Sequence, residues 1–81
     1  MKANRAYRLN HARGGPRLFA APDAVDTVEI VDIASNEVVL FWDVPTRDAR
    51  HFVNTMRAEL SGADAEDFVA RWSAVGGPED L

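Results

Sequence analysis

The sequence predicts an α+β domain in which a small antiparallel sheet of two to four strands packs against two C-terminal helices. Residues 27–44 contain two apolar segments of strand length joined by a tight turn at Ser35-Asn36, which is the pattern of a β-hairpin. Residues 46–75 follow at once and repeat apolar side chains at helical period on both sides of Ser61-Gly62, which indicates a pair of helices.

The length of the chain bounds its organisation to one domain, residues 1–81. Hydrophobic residues make up 47% of it, which is the composition of a folded chain. A single core of this size seldom contributes more than about 3–5 kcal/mol without reinforcement. Disulfides, thiol nucleophiles and Cys-based zinc sites are excluded because the chain has no cysteine. Oligomerisation is the common reinforcement that remains, so we expect a homodimer.

The N-terminus shows no targeting pattern. Polar and charged residues follow Met1 where a secretory signal would be apolar, and no segment has the length of an apolar membrane span. We therefore expect a cytoplasmic protein with no membrane partner.

Charge is unevenly distributed along the chain, whose net charge is −4. Residues 1–17 hold five cations and no acid, whereas the remainder holds thirteen acids and four arginines, which leaves it at −9. Such a basic N-terminal arm can contact nucleic acid, an acidic protein partner or its own acidic body, and it can also be a solvated arm or an edge strand. The candidate binding residues of the arm, beside Lys2, are Arg5, Arg8, Arg13 and Arg17.

The N-terminal third contains weaker strand signals. Residues 5–11 place Tyr7 and Leu9 on one phase of an alternating pattern, which predicts a short half-buried strand. The Gly-Gly-Pro segment at 14–16 then breaks the chain, because glycine permits positive φ and proline fixes its own backbone torsion. Residues 17–20 are apolar enough to form a second short strand.

The hairpin is apolar on both faces. Its first strand, Thr27–Ile33, shifts its apolar residues from one face to the other between Ile30 and Val31, so we expect a bulge or burial on both sides. Its second strand, Glu37–Val44, has Val38, Leu40, Trp42 and Val44 on one face and Val39 and Phe41 on the other.

This two-sided strand is the main physical argument for a dimer. Two helices cover only one side of such a sheet, so the other side needs the N-terminal segment or a second copy of the chain. The residues that we assign to the dimer interface are Val39, Phe41 and Trp42.

The helical pair has clear boundaries in the sequence. We expect Thr46 to cap the first helix, with Asp48 in the first turn, where a carboxylate suits the helix dipole. The second helix, from about Asp64 to Val75, allows an ion pair between Asp67 and Arg71 one turn apart. The core face of the first helix repeats at helical period and comprises Ala49, Phe52, Val53, Met56 and Leu60.

Residue types that carry catalysis or hold metals do not occur with the required spacing. His11 and His51 form no His-x-x-x-His pattern, and no serine lies in a Gly-x-Ser-x-Gly elbow. The 14–16 segment lacks the framework of a phosphate-binding loop. We interpret Asp23 and Asp26 as loop carboxylates, since acid–base catalysis needs a desolvated pocket. We expect no enzyme activity, no cofactor and no metal site.

A polar, basic stripe lies beside the core face of the first helix. Arg47, Arg50, Asn54 and Arg57 recur at helical spacing. The arginine fork binds phosphates or carboxylates in bidentate fashion, and the same stripe can equally be an ordinary solvated helix face. Arg47, Arg50 and Arg57 are therefore candidate residues for binding nucleic acid or a protein partner.

The strand–turn–strand–helix block resembles the BldB-like developmental regulators of actinobacteria and related short proteins. The resemblance covers VEIVDIASNEVVLFWDV followed by DARHFVNTMRAEL, in residues 28–60. It implies a non-enzymatic, dimer-forming protein that influences transcription and development through other proteins. We thus expect a homodimeric regulatory protein acting through protein–protein interaction, and the alternative is a nucleic-acid-binding protein that uses its basic arm.

Overall fold

A computed structural model describes residues 1–14 and 24–81 of the chain. The predicted α+β class is confirmed, because these residues form one three-stranded antiparallel sheet with helices packed on it. The predicted strand at 17–20 and the candidate Arg17 lie outside the described residues. The elements are α1 (Ala3–Ala6), β1 (Tyr7–Ala12), β2 (Val25–Asp32), β3 (Val38–Pro45), α2 (Thr46–Gly62), α3 (Ala65–Trp72) and a terminal 3₁₀ turn (Pro78–Asp80).

The sheet has the strand order β1-β2-β3. Residues 7–12, for which the sequence left open a free arm or an edge strand, pair with β2 from Tyr7 opposite Asp32 to Ala12 opposite Thr27. One face of the sheet is buried under α2 and α3. Its buried side chains are Leu9, Val28, Ile30, Trp42 and Val44.

The hairpin has a shift of register at the predicted place, between Ile30 and Val31, but its extra residue is on the partner strand. Ile30 lies opposite Leu40 and Val31 opposite Val38, so Val39 is the extra residue on β3. A bulge of this kind increases the local twist of the strand and interrupts the alternation of its side chains between faces. The extra residue lies on β3, so it leaves the alternation of β2 intact. Val31 follows Ile30 and directs its side chain to the opposite face, yet it is only 2% exposed, which agrees with the expected burial on both sides.

The hairpin turn is longer than the predicted Ser35-Asn36 pair. The carboxylate of Asp32 accepts hydrogen bonds from the N–H groups of Ala34 and Ser35, at 2.9 and 3.3 Å. Its backbone carbonyl accepts one from the N–H of Asn36 at 2.7 Å. Asn36 has a φ of 62°, in the left-handed region that asparagine tolerates better than most side chains.

The first six residues are anchored to the junction of α2 and α3. The N–H of Ala3 donates to the carbonyl of Ala63, and the N–H of Ala65 donates to the carbonyl of Met1, both at 2.9 Å. Lys2 donates its ammonium hydrogen to the last carbonyl of α2 at 3.1 Å. Because Ala3 is fully buried, this basic segment is part of the packed structure.

Four aromatic side chains join the sheet to both long helices. Trp42 of β3, Phe52 of α2, and Phe68 and Trp72 of α3 are all buried. Their ring centroids lie 5.5 to 6.1 Å apart in four contacting pairs, three of them edge to face. Such pairs contribute about 0.5–1.5 kcal/mol each beyond the burial of their area. The predicted core face of α2 is buried against this cluster.

The N–H groups of both buried indoles have hydrogen-bond partners. The Nε1–H of Trp42 donates to the carbonyl of Val75 at 2.8 Å, and that of Trp72 donates to Glu59 at 2.5 Å. Arg71 binds the other carboxylate oxygen of Glu59 at 2.6 Å. The predicted Asp67–Arg71 pair is therefore wrong, because the carboxylate of α2 lies closer to Arg71.

Replacement of Phe52 by alanine tests the aromatic cluster. We expect Phe52→Ala to lower the free energy of unfolding by roughly 3–5 kcal/mol, because it removes a buried ring and leaves a cavity. Urea unfolding followed by tryptophan fluorescence measures the change. The control is Phe41→Ala in dilute solution, which removes a ring that is 56% exposed and should cost less than about 1 kcal/mol. Equal losses would contradict this account of the core.

Candidate functional site

A polar cleft opens where the end of β1, the start of β2 and the start of α2 meet. Its volume is about 580 Å³. These three element ends share one edge of the molecule because β1 and β2 are antiparallel and α2 follows β3 directly at Pro45. Ala49 and Val53 of α2 give the cleft its apolar lining.

Asp26 is the buried polar centre of this cleft. Only 2% of the residue is exposed, and its carboxylate accepts three hydrogen bonds. The donors are the backbone N–H of Gly14 at 3.0 Å, the hydroxyl of Thr46 at 2.7 Å and the Nε2–H of His11 at 2.6 Å. The carboxylate thereby ties together β1, β2 and α2.

The pKa of Asp26 is lowered from its ordinary value of 3.8. Burial alone acts in the opposite direction, because it disfavours the charged form. The hydrogen bonds from Gly14, Thr46 and His11, together with the charge of the imidazole, outweigh the effect of burial. Since an ionised carboxylate can only accept, His11 carries a proton on Nε2 and is oriented by this bond.

The interpretation of Asp26 as a loop carboxylate is wrong, because β2 begins two residues earlier than predicted, at Val25. Asp26 then shares the inward phase of Val28 and Ile30. The signal was present in the sequence, since the three residues are spaced by two. Spacing alone does not favour this placement, because a carboxylate is rarely buried unless it is paired.

Thr46 begins α2, but the prediction that its side chain caps the helix is wrong. Its hydroxyl donates to Asp26 instead, and its N–H donates to the carbonyl of Ala24 at 2.9 Å. Both bonds hold the start of α2 against β2. Gly14 also lies close to the backbone of β2: a Cβ atom at this position would lie 1.6 Å from the carbonyl oxygen of Val25.

The predicted basic residues divide between the cleft and other places. Arg13 of the N-terminal arm and Arg50 and Arg57 of the helical stripe all line the cleft, together with Asn54. The sequence assigned these arginines to two separate sites. They meet because β1 pairs with β2 in antiparallel fashion, which brings the end of β1 to the start of β2, and the start of β2 lies opposite Pro45, where α2 begins.

The other predicted cations lie outside the cleft. Arg8 hydrogen-bonds Asn10 and Asn36 near the hairpin turn, at 3.3 and 3.1 Å. Arg47 is solvated and lies 3.8 Å from its neighbour Asp48. Arg5 is exposed on α1. Of the helical stripe, Arg47 lies outside the cleft, whereas Arg50, Asn54 and Arg57 line it together.

Strand β3 carries a second distinctive surface, which is apolar. Of the three residues that we assigned to the dimer interface, Val39 and Phe41 are exposed to 40% and 56%. Trp42 requires a correction: its side chain points to the other face and is only 6% exposed, because it packs on Phe52 and Trp72. Within one chain Trp42 is a core residue and offers no contact surface.

None of the helices in residues 1–14 and 24–81 has the length and apolar content needed to cross a lipid bilayer. The same part of the chain contains no group of three or more His, Asp or Glu side chains arranged to hold a metal ion. Comparison of the chain with protein-family models, curated proteins and solved structures found no match.

Replacement of Asp26 by asparagine tests the buried carboxylate. Because the folded pKa is lower than the unfolded value of 3.8, the stability contributed by the charge is fully present above 3.8 and is lost as the pH falls through the folded value. We expect Asp26→Asn to lower the free energy of unfolding by roughly 2–3 kcal/mol at neutral pH. The difference from the parent chain should shrink as the pH falls below the unfolded value.

Urea unfolding at a series of pH values measures this difference. Asp43→Asn is the matched control, because it makes the same chemical change at an exposed position of β3. A destabilisation by Asp26→Asn that stays constant down to strongly acidic pH would contradict the role of the charge.

Proposed function

We propose that this chain is a small non-enzymatic regulatory protein that works through protein–protein contacts, with a second copy of itself as the first partner. The observation that carries the proposal is the exposed apolar surface of β3. Val38, Val39 and Phe41 are 51%, 40% and 56% exposed there. Apolar side chains that lie together in water in this way are typical of contact surfaces.

The backbone of β3 supports the same proposal. Within the described residues β3 is an edge strand, since β2 is its only neighbour. An edge presents unpaired N–H and C=O groups, which form a ladder with any extended chain that aligns with it. Natural edge strands usually block such pairing with lysine, with proline or by short length. β3 has eight residues, no cation, a single charge at Asp43 and a proline only at its last position.

A second copy fits this edge because antiparallel pairing about a twofold axis brings like faces together. Residues directly opposite in such a pair direct their side chains to the same face. Phe41 would then lie against Phe41 or Val39 of the second copy. Each such cross-strand pair contributes roughly 0.2–1 kcal/mol, and the extended sheet supplies reinforcement that a core of this size lacks.

The regulatory role rests on the resemblance of residues 28–60 to BldB-like regulators, which implies action on transcription or development through other proteins. The nucleic-acid alternative has less support from the geometry. A phosphate backbone is bound by a continuous basic track. The arm is divided instead, with Lys2 at the helix junction, Arg8 at the hairpin turn and Arg13 at the cleft.

Replacement of Phe41 by lysine tests self-association. We expect the parent chain to be dimeric at micromolar concentration and Phe41→Lys to be monomeric, because a charged side chain would replace an apolar contact in each copy and would be desolvated in the interface. Sedimentation equilibrium measures the mass, and circular dichroism verifies that the variant is folded. Leu81→Lys is the control, since it makes a similar change at a residue that is 45% exposed and lies outside the sheet.

A parent chain that stays monomeric at these concentrations would refute the proposal, as would a Leu81→Lys variant that dissociates equally. The effect of salt distinguishes self-association from binding to nucleic acid. Each chain has a net charge of −4, so screening should leave the dimer unchanged or strengthen it, whereas binding to nucleic acid should weaken steeply.

A further inference from the structure

We infer that the polar cleft binds the phosphate group of a small phosphorylated molecule, held by Arg13, Arg50 and Arg57. This site is separate from the apolar surface of β3 and does not depend on self-association.

Three cations from distant parts of the sequence meet at the cleft. Arg13 follows β1, while Arg50 and Arg57 lie two turns apart on one face of α2. Within residues 1–14 and 24–81, none of the three has an ion-pair partner, whereas Arg47 and Arg71 each have one. The convergence is therefore not explained by neighbouring carboxylates of the described chain.

The charge of the chain makes this convergence unusual. Like charges gathered in one cleft repel one another. The chain has thirteen acidic residues and a net charge of −4, so carboxylates that could neutralise these arginines are abundant in the sequence. The one carboxylate that lines the cleft within the described residues is Asp26, which already accepts three hydrogen bonds. Three arginines thus face one carboxylate among the described residues of the cleft, and a bound anion would balance the excess positive charge.

The donor set favours phosphate over carboxylate. Each guanidinium presents five N–H donors in a planar fork. A carboxylate has two oxygens, which one such fork satisfies, whereas a terminal phosphate has three oxygens and accepts paired hydrogen bonds from more than one arginine. The amide of Asn54 lies between the two arginines on the same helix face and adds another donor.

The shape of the cleft favours a small molecule over a nucleic acid. A volume of about 580 Å³ lies within the usual range of small-molecule pockets, roughly 300–1,000 Å³. Ala49 and Val53 offer apolar contact to the part of the ligand that carries no charge. His11 also lines the cleft, with its ring held in orientation by the buried Asp26.

Titration of the full chain with inorganic phosphate and pyrophosphate tests the inference. NMR spectra of ¹⁵N-labelled protein should show saturable shifts at Gly14, Arg50, Asn54 and Arg57, with a Kd of about 1 mM or lower for pyrophosphate. The double variant Arg50→Gln/Arg57→Gln should bind at least about tenfold more weakly, since charge-assisted hydrogen bonds are lost.

The matched control is Arg5→Gln/Arg47→Gln, which removes the same charge from two exposed residues outside the cleft. It should change the affinity by less than about twofold, because exposed charges away from the ligand act only through screened attraction. Phe41→Lys should bind phosphate like the parent chain, so that failure of one proposal is distinguishable from failure of the other.

Several outcomes would overturn the inference. Equal weakening by the two double variants would show general charge attraction only, and shifts that never saturate would show that there is no site. If succinate bound more tightly than pyrophosphate, the cleft would be a site for carboxylates and not for phosphates. Tighter binding of a short DNA duplex, lost on replacement of Arg5 and Arg8, would move the site to a nucleic-acid surface.

Discussion

The contacts of Trp42 hold the structure together. Its ring joins β3 to Phe52 of α2 and to Trp72 of α3, and its indole N–H binds the carbonyl of Val75 beyond the last helix. One side chain thus links the sheet, both long helices and the C-terminal segment. The hydrogen bond matters because an indole N–H buried without a partner would cost roughly 1–3 kcal/mol.

The packing of α2 on the sheet positions the cleft. The aromatic cluster fixes the core face of α2, and therefore the neighbouring face with Arg50 and Arg57 is directed to the end of β1. Asp26 then fastens this end through hydrogen bonds to Thr46 and His11. This buried carboxylate is stable because it accepts three hydrogen bonds, two from the end of β1 and one from the start of α2.

The same packing leaves the two faces of β3 in different environments. Its inward residues are covered by the helices, but Val39 and Phe41 remain in water on the other side. The cleft and this apolar surface belong to different parts of the molecule, so ligand binding at one and association at the other are compatible.

The sequence by itself determined the α+β class, the hairpin, and the core face of α2, because hydrophobic periodicity is a local property that burial enforces. It also indicated that one side of β3 would lack a covering layer. Only the tertiary structure decided which charged residues meet. Arg13 is distant from Arg50 and Arg57 in the sequence, and Glu59 displaced Asp67 as the partner of Arg71. Local spacing does place Asp26 on the phase of Val28 and Ile30, and Trp42 on the face opposite Phe41. What it cannot identify is the distant segment that hydrogen-bonds Asp26 or covers Trp42, and only the tertiary structure supplies it.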